Sequence, residues 1–307
     1  MTADRAPSGA HPKPSGVSGA AGGWRLIADV HEFLAGAGEF LRSDPATHTL
    51  LLTVTDVVLR SGPDAFGGAP AHFGVLSEGG AVVGAFARTP PFGVLLSALP
   101  AGGAARLAAV LAETHPDAAG CTGDADTAVA FARAWHRRTG TPTRVEARER
   151  LYRLGALTPP KPAPPGRART ATEADRDLLG RWYTEFGEAV GRGAGRPALD
   201  WADDRIAYGG VLLWELDDGT PVAMAGASRL IAGQVRVAPV YTPKPLRGRG
   251  YAGAATAELS ARLAASPAEE VLLFADLSNP TSNALYQRLG YRSVRDFTVV
   301  AFGADDG

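Results

Sequence analysis

The sequence predicts an α/β or α+β protein built of two units of comparable length. Segments with apolar residues at three- and four-residue spacing alternate with short apolar runs bounded by turn residues, the patterns of helices and strands. Thr158–Arg169, TPPKPAPPGRAR, spaces its prolines so closely that neither a helix nor a central strand can continue through it. At 307 residues the chain is long enough for a domain on each side of that linker.

Residues 1–23, MTADRAPSGAHPKPSGVSGAAGG, read as a disordered tail, because Gly, Ser, Pro and Ala bury too little surface to offset chain ordering. A first unit spans 24–157. Its Thr47–Arg60 stretch reads as a buried helix, and AHFGVLSEGG, AVVGAFART and FGVLLSALP as three strands of a meander. AARLAAVLAET and ADTAVAFARAWHRRTG carry helical spacing, the second stopping at Gly140, and RVEARERLYRL alternates as a strand. The linker occupies 158–168 and a second unit 169–307. That unit opens with a helix whose N-cap is Thr172 and whose first turns are acidic, favourable at the positive helix end. GGVLLWEL, PVAMAGASRLI and QVRVAPVYTP follow as strands, the first two flanking the turn at Asp217–Thr220. AATAELSARLAA reads as a helix, EEVLLFADL as a strand, TSNALYQRLG as a short helix ending at Gly290, and YRSVRDFTVVAF as a final strand or pair.

Composition narrows the function. With 31 Lys+Arg against 32 Asp+Glu the formal charge is -1, so there is no general excess of positive charge for a nucleic-acid backbone or an anionic membrane. No apolar run approaches the roughly 20 residues of a membrane span, and the first residues lack the apolar stretch of a signal peptide. Cys121 is the single cysteine, which forbids an intramolecular disulfide and a cysteine-based zinc cluster and fits a reducing cytoplasm. The six histidines, at 11, 31, 48, 72, 115 and 136, show no metal-ligand spacing and read as structural or solvated. No metal is expected.

The chemistry concentrates in Pro245–Ala252, PLRGRGYA, between a strand ending near Thr242 and the helix that runs to about Ala265. Unpaired amides and the helix dipole at such a junction attract phosphate. Gly248 and Gly250 let the backbone curl close to a ligand, and Arg247 and Arg249 can add charge-assisted bonds. The loop is neither a P-loop nor a dinucleotide fingerprint, since neither Gly-Lys-Ser/Thr nor Gly-x-Gly-x-x-Gly is present. By itself it reads equally as an anion site or a charged surface turn.

Order of elements and two motifs give a resemblance. Arg247, Gly250 and Ala252 match Gln/Arg-x-x-Gly-x-Gly/Ala, and Asn279-Pro-Thr-Ser-Asn283-Ala-Leu-Tyr286-Gln-Arg-Leu-Gly290-Tyr291 matches a second motif downstream. Residues 169–302 thereby resemble the catalytic domain of the GNAT superfamily of N-acetyltransferases. The resemblance implies, for each unit, a mixed, mostly antiparallel central sheet flanked by helices, with a splayed strand pair in the second unit that takes acetyl-CoA as cosubstrate. It implies that the pantetheine arm lies along Val240, Tyr241 and Thr242 and that the diphosphate rests on Gly248, Arg249, Gly250, Tyr251, Ala252 and Gly253, with Asn279 and Asn283 fixing the cosubstrate or its loop. It further implies that Tyr286 protonates the leaving thiolate; a phenol suits that task because its ordinary pKa lies only about 1.5 units above a thiol's.

The general base is open. No histidine follows His136, and QVRVAPVY lacks the glutamate that many family members place there. Asp276, Glu185 and Glu188 are candidates, with capping or solvated carboxylates as the alternative. Trp182, Tyr183, Phe186 and Trp214 either line an acceptor pocket or belong to the core. The first unit resembles a second, diverged copy of the same fold, as in tandem GNAT proteins of actinobacteria; its counterpart turn, Leu99–Arg106, lacks the Arg-x-x-Gly-x-Gly/Ala arrangement. The expected activity is N-acylation of a small primary amine by direct attack in a ternary complex, with the protein a monomer or homodimer. The competing readings are a non-catalytic acyl-CoA binding module and an aminoacyl-tRNA-dependent transferase.

Overall fold

One continuous sheet of twelve strands organises the computed structural model, which describes residues 23–191 and 196–303. Apart from Gly23, the tail expected at 1–23 lies outside the described residues. The first half supplies β1 (Trp24–Ile27), α1 (Val30–Ser43), α2 (Thr49–Ser61), β2 (His72–Glu78), β3 (Ala81–Arg88), β4 (Val94–Leu96), α3 (Gly103–Thr114), β5 (Gly120–Asp124), α4 (Ala125–Thr139) and β6 (Thr143–Leu154). After the linker come β7 (Arg167–Thr170), α5 (Arg176–Ala189), α6 (Ala198–Ala207), β8 (Val211–Glu215), β9 (Pro221–Ala227), β10 (Gln234–Tyr241), α7 (Tyr251–Ala264), β11 (Glu270–Asp276), α8 (Pro280–Arg288) and β12 (Tyr291–Phe302).

The strand order β1-β2-β3-β4-β5-β12-β6-β11-β10-β9-β8-β7 shows that the halves are interlocked. β12, from the end of the chain, pairs with β5 of the first half, while β6, which precedes the linker, lies between β11 and β12. The linker therefore marks a break in secondary structure and not the edge of a self-contained sheet. Among the described residues only β4–β5 and β10–β11 run parallel; the other pairs are antiparallel, giving the mixed, mostly antiparallel sheet.

Alternation along the strands sends their side chains to two layers. On β8, Leu212 and Trp214 join the core under α7 and α8, whereas Val211 and Leu213 join the core under α5 and α6. The latter helix pair buries Leu179, Trp182, Trp201 and Ala202, with Leu178 and Phe186 packed alongside, so α5 presents one apolar stripe. The helix expected from Thr172 begins as a single 3₁₀ turn, Glu173–Asp175, held by a capping box in which Asp175 accepts from the Thr172 amide at 2.9 Å. In the first half, α1 and α2 cover β2 and β3 while α3 and α4 cover the opposite side. The β9–β10 hairpin reaches across, packing Ile231 and Ala232 against the first-half core, and Thr49 of α2 donates to Gln234 of β10 at 2.9 Å.

Candidate active site

β10 and β11 begin as a parallel pair, with Gln234 opposite Glu270, Val235 opposite Val271 and Arg236 opposite Leu272. There the ladder stops. Beyond it β10 remains paired with β9, through Val240–Ala225 and Tyr241–Met224, while β11 stays with β6 as far as Asp276–Glu149. The facing edges of 237–241 and 273–276 thus have no strand partner among the described residues, which is the expected splay. Such an edge offers main-chain donors and acceptors to an extended ligand.

A bulge sets what the strand presents. From Val237 to Val240 β10 advances three residue steps against two on β9 from Ala227 to Ala225, so β10 carries one extra residue and its facing shifts. Val235 and Val237 face α7, yet Tyr241 enters the α5–α6 core. Pro239 falls inside this bulge, where no ladder amide is required.

At the open end of the splay the chain makes a 3₁₀ turn, Lys244–Leu246, and then α7 starts with Gly250 as its N-cap. Gly248 and Gly250 have φ of +78° and +84°, which a side chain would strain. The first helical bond is from Ala254 to the Gly250 carbonyl at 3.0 Å, leaving the amides of Tyr251, Ala252 and Gly253 without a partner in the helix, and no N-cap side chain takes their place. Arg247 folds back: its Nε donates to the Thr242 carbonyl at 2.9 Å and its guanidinium lies 5.8 Å from the centre of the Tyr241 ring, so it braces the turn. Arg249 is exposed. Thr242 is buried, and its hydroxyl has no hydrogen-bond partner among the described residues.

The linker, read from sequence as a spacer, is packed beside this turn. Pro164 lies 3.8 Å from a Cβ built on Gly250, and Pro160 3.9 Å from one built on Gly253. The Thr158 amide donates to Leu289 and the Trp214 indole to Pro165, at 3.0 and 2.8 Å. Trp214 is thereby on the α7 side of the sheet, away from Trp182, Tyr183 and Phe186, and the four do not form one pocket wall. Tyr183 instead stacks on Trp201 with centroids 4.4 Å apart.

α8 is fastened at its N-terminus. Asn279 is the N-cap and accepts from the Ser282 amide at 3.1 Å; Asn283 donates to the carbonyls of Asp276 and Asn279 at 2.7 and 2.8 Å. The Asn283 side-chain oxygen accepts from the Tyr152 hydroxyl at 2.8 Å, and Gln287 donates to the same hydroxyl at 3.2 Å. Tyr152 belongs to β6, so a first-half strand positions the helix that carries Tyr286; sequence patterning, which stops at the linker, gives no sign of it. Asp276 is bound into the turn, its carboxylate accepting from the Ser278 amide at 2.7 Å.

Tyr286 is buried, edge-on to Tyr291 at 6.1 Å, and its hydroxyl has no partner among the described residues. Burial pushes its pKa up to about 12, so the phenol keeps its proton at neutral pH. On the opposite face Glu185 accepts from the Tyr241 hydroxyl at 2.7 Å; burial, with Glu185 adding to it, pushes Tyr241 up to about 12. Two separately predicted residues are thus one pair. Because both phenols bind their protons more tightly folded than unfolded, their contribution is present below the ordinary tyrosine range near 10 and is lost as pH rises towards 12. The melting temperature should hold between pH 7 and 9 and fall steadily from pH 10 to 11.5 in a calorimetric series.

The corresponding place in the first half is closed. β4 pairs with β5 along its whole length, from Val94–Cys121 to Leu96–Gly123, and the next turn is tied to α4 by Leu99 donating to Thr127 at 3.1 Å.

The family of FR47-like proteins matches residues 222–300, which run from β9 into β12 and include the splay, the turn and α8. A GCN5-related N-acetyltransferase from Sphaerobacter thermophilus is similar over 92% of this chain and 97% of its own, at 18% identity and a TM-score of 0.57. A tandem GNAT protein from the clavulanic acid biosynthesis pathway is similar over 92% and 100%, at 13% identity and a TM-score of 0.55. A GNAT-family acetyltransferase from Colwellia psychrerythraea is similar over 91% and 98%, at 11% and 0.55. No curated protein sequence matches the chain. The chain has the GNAT acetyltransferase fold, as its motifs anticipate. No helix among the described residues is long and apolar enough to cross a membrane.

Proposed function

We propose that this chain is an acyl-CoA-dependent N-acyltransferase, acetyl-CoA being the default donor and the primary amine of a small molecule the acceptor. The observation that supports it most is a splay that opens directly onto three unpaired helix amides, together with the sealed, unpartnered hydroxyl of Thr242 and the phenol of the buried Tyr286, which makes no hydrogen bond to the described residues. A sealed hydroxyl left unsatisfied is costly, and a ligand in the cleft would supply Thr242 with its partner.

In this reading Val240, Tyr241 and Thr242 hold an extended arm at the β10 edge, and the main chain from Gly248 to Gly253 holds a diphosphate, Arg249 adding charge from solvent. When bound, acyl-CoA would supply the acyl group activated as a thioester. Asn279 and Asn283 act at one remove by fixing α8, and Tyr286 holds the proton that a departing thiolate needs. Of the three carboxylates named from sequence, Asp276 is engaged in its turn and Glu188 is exposed, which leaves Glu185, joined to Tyr241, as the better candidate to accept the amine's proton. The first half serves as a wall of the site and supplies β6. The lack of an acidic residue on QVRVAPVY favours a second reading, an acyl-CoA binding module without turnover.

Thiol release from acetyl-CoA across an amine panel separates the two. The acyltransferase predicts amine-dependent release; CoA binding with no release from any amine would leave the binding module. Gly250→Val should raise the CoA Kd at least about tenfold while lowering stability by about 1–2 kcal/mol, through backbone strain at its positive φ. Isothermal calorimetry and thermal melting read the two effects separately.

A further inference from the structure

Five guanidiniums gather where the halves meet: Arg60 from α2, Arg196 before α6, Arg205 on α6, Arg229 at the β9–β10 hairpin and Arg236 on β10. One carboxylate serves four of them. Asp204 lies 2.9 Å from Arg60, 3.1 Å from Arg229, 3.5 Å from Arg205 and 3.6 Å from Arg196, and Asp56 adds a second contact to Arg60 at 2.7 Å. Glu149 attracts Arg236 and Arg205 repels it; burial is the larger influence and lowers its pKa to about 10. Arg229 stacks on Tyr208, 4.1 Å from the ring centre, and Arg205 donates to the hydroxyl of the same tyrosine.

The cluster has donors to spare. Nε of Arg196, Arg205 and Arg229 and Nη1 of Arg236 are sealed from solvent and have no hydrogen-bond partner among the described residues; Oδ2 of Asp204 is likewise unbonded, one open acceptor against four open donors. Fastening α2 to α6 would need only the Arg60–Asp204 contact. A surplus of desolvated cations with open N–H groups is expensive unless an anion completes it, and the guanidinium fork suits carboxylate or phosphate. The cluster reaches solvent at one edge, where the Arg60 and Arg229 side chains are 30% and 32% exposed, while Nη1 of Arg236 lies sealed behind them, so an anion would enter past Arg229.

Its place relates it to the cleft. Val235 and Val237 face α7, so Arg236 between them projects to the opposite face, the one on which Gln234 meets α2. Arg236 is also the last β10 residue paired with β11, at the vertex of the splay. An arm entering along β10 from the Gly248–Gly250 turn points its far end at this vertex.

We propose that Arg229, Arg236 and Arg205 form an anion subsite for the acceptor, so that the amine acylated also carries a carboxylate or phosphate. This rests on the acyltransferase reading for the acceptor's role, while the anion site rests on the cluster alone. Two measurements on the full chain test it. The first is the melting temperature in inorganic phosphate against chloride at equal ionic strength: about 10 mM phosphate should raise it by at least about 2 °C, and Arg236→Met should abolish the shift. The second is kcat/KM with acetyl-CoA for amine pairs differing only in the anion, lysine against 1,5-diaminopentane and phosphoethanolamine against ethanolamine. At least one anionic member should be preferred about tenfold or more, the pair showing whether carboxylate or phosphate is read, and Arg236→Met should bring the ratio within about threefold.

If Arg236→Met fails to fold, Arg236→Lys, which keeps the charge and loses the fork, should shrink both effects. A wild-type chain indifferent to phosphate, or equal turnover within both pairs, overturns the proposal. Silence towards CoA in calorimetry removes the acyltransferase reading and the acceptor role with it, whereas CoA binding without anion preference overturns the cluster's role alone.

Discussion

Residues 166–307 expressed alone should fail to fold cooperatively, although they contain every motif on which the acyltransferase reading rests. Removing the first half removes β6. β11 then loses its partner from Leu272–Arg153 to Asp276–Glu149, and β12 loses its own from Tyr291–Leu154 to Phe302–Thr143. What remains of β11 is its short parallel pairing with β10, and β12 is cut off from the sheet. Leu151 and Tyr152, both buried, leave the cores beneath, and Asn283 loses the hydroxyl that holds it. Two large buried side chains cost about 3–5 kcal/mol each, and a domain has only about 5–15 kcal/mol to lose before the strand pairing is counted. Circular dichroism on heating should show no sigmoidal melt for the fragment. Co-expression of 1–157 with 158–307 should restore one. A fragment that melts cooperatively and binds CoA would show that β6 is dispensable.

Tyr286→Phe should lower kcat by about 10²-fold, within the range for a lost general acid, while the acetyl-CoA Kd stays within about twofold. The substitution removes one oxygen and leaves the edge contact to Tyr291, so packing is spared. The hydroxyl has no protein partner to orphan among the described residues, which sets this site apart from Tyr291, whose hydroxyl bonds Ser260 at 2.7 Å and whose loss should register in stability. With its pKa pushed up to about 12, Tyr286 remains a donor through the whole neutral range, so the wild-type rate should show no alkaline loss traceable to it below about pH 10. Stopped-flow thiol release with saturating amine measures the step. Equal losses in kcat and in CoA affinity would assign Tyr286 to binding.

The elements legible in the sequence are those whose local pattern suffices. α2, α3, α4 and α7 carry apolar stripes over three turns or more, and the meander β2–β3–β4 has its turns marked by glycine and proline. β1 and α1 escape because Gly36 and Gly38 interrupt a helix whose stripe, Val30, Phe33, Ala37 and Leu41, is otherwise regular. β5 is GCTGD, two glycines in five residues, and becomes a strand only through its neighbours β4 and β12. The exchange of β6 and β12 has no local signature, since alternation reports a strand and is silent on its partner.

The site divides the same way. The Gly248–Gly250 turn and the α8 cap are sequence-local and readable. The Glu185–Tyr241 pair depends on a one-residue bulge that turns Tyr241 to the other face, and the Tyr152–Asn283 bond crosses the linker, so neither follows from spacing. The arginine cluster draws on α2, α6 and the β9–β10 hairpin, three segments that meet only once the sheet is assembled.

A titration of the ¹⁵N-labelled full-length chain with CoA, read residue by residue through its amide resonances, bears most directly on where a diphosphate would be held. Saturable shifts largest at Gly248, Gly250, Tyr251, Ala252 and Gly253, with Gly102 and Gly103 of the first half unmoved, are the expected result. An amide spectrum unchanged at millimolar CoA, or shifts confined to the first-half turn, would contradict it.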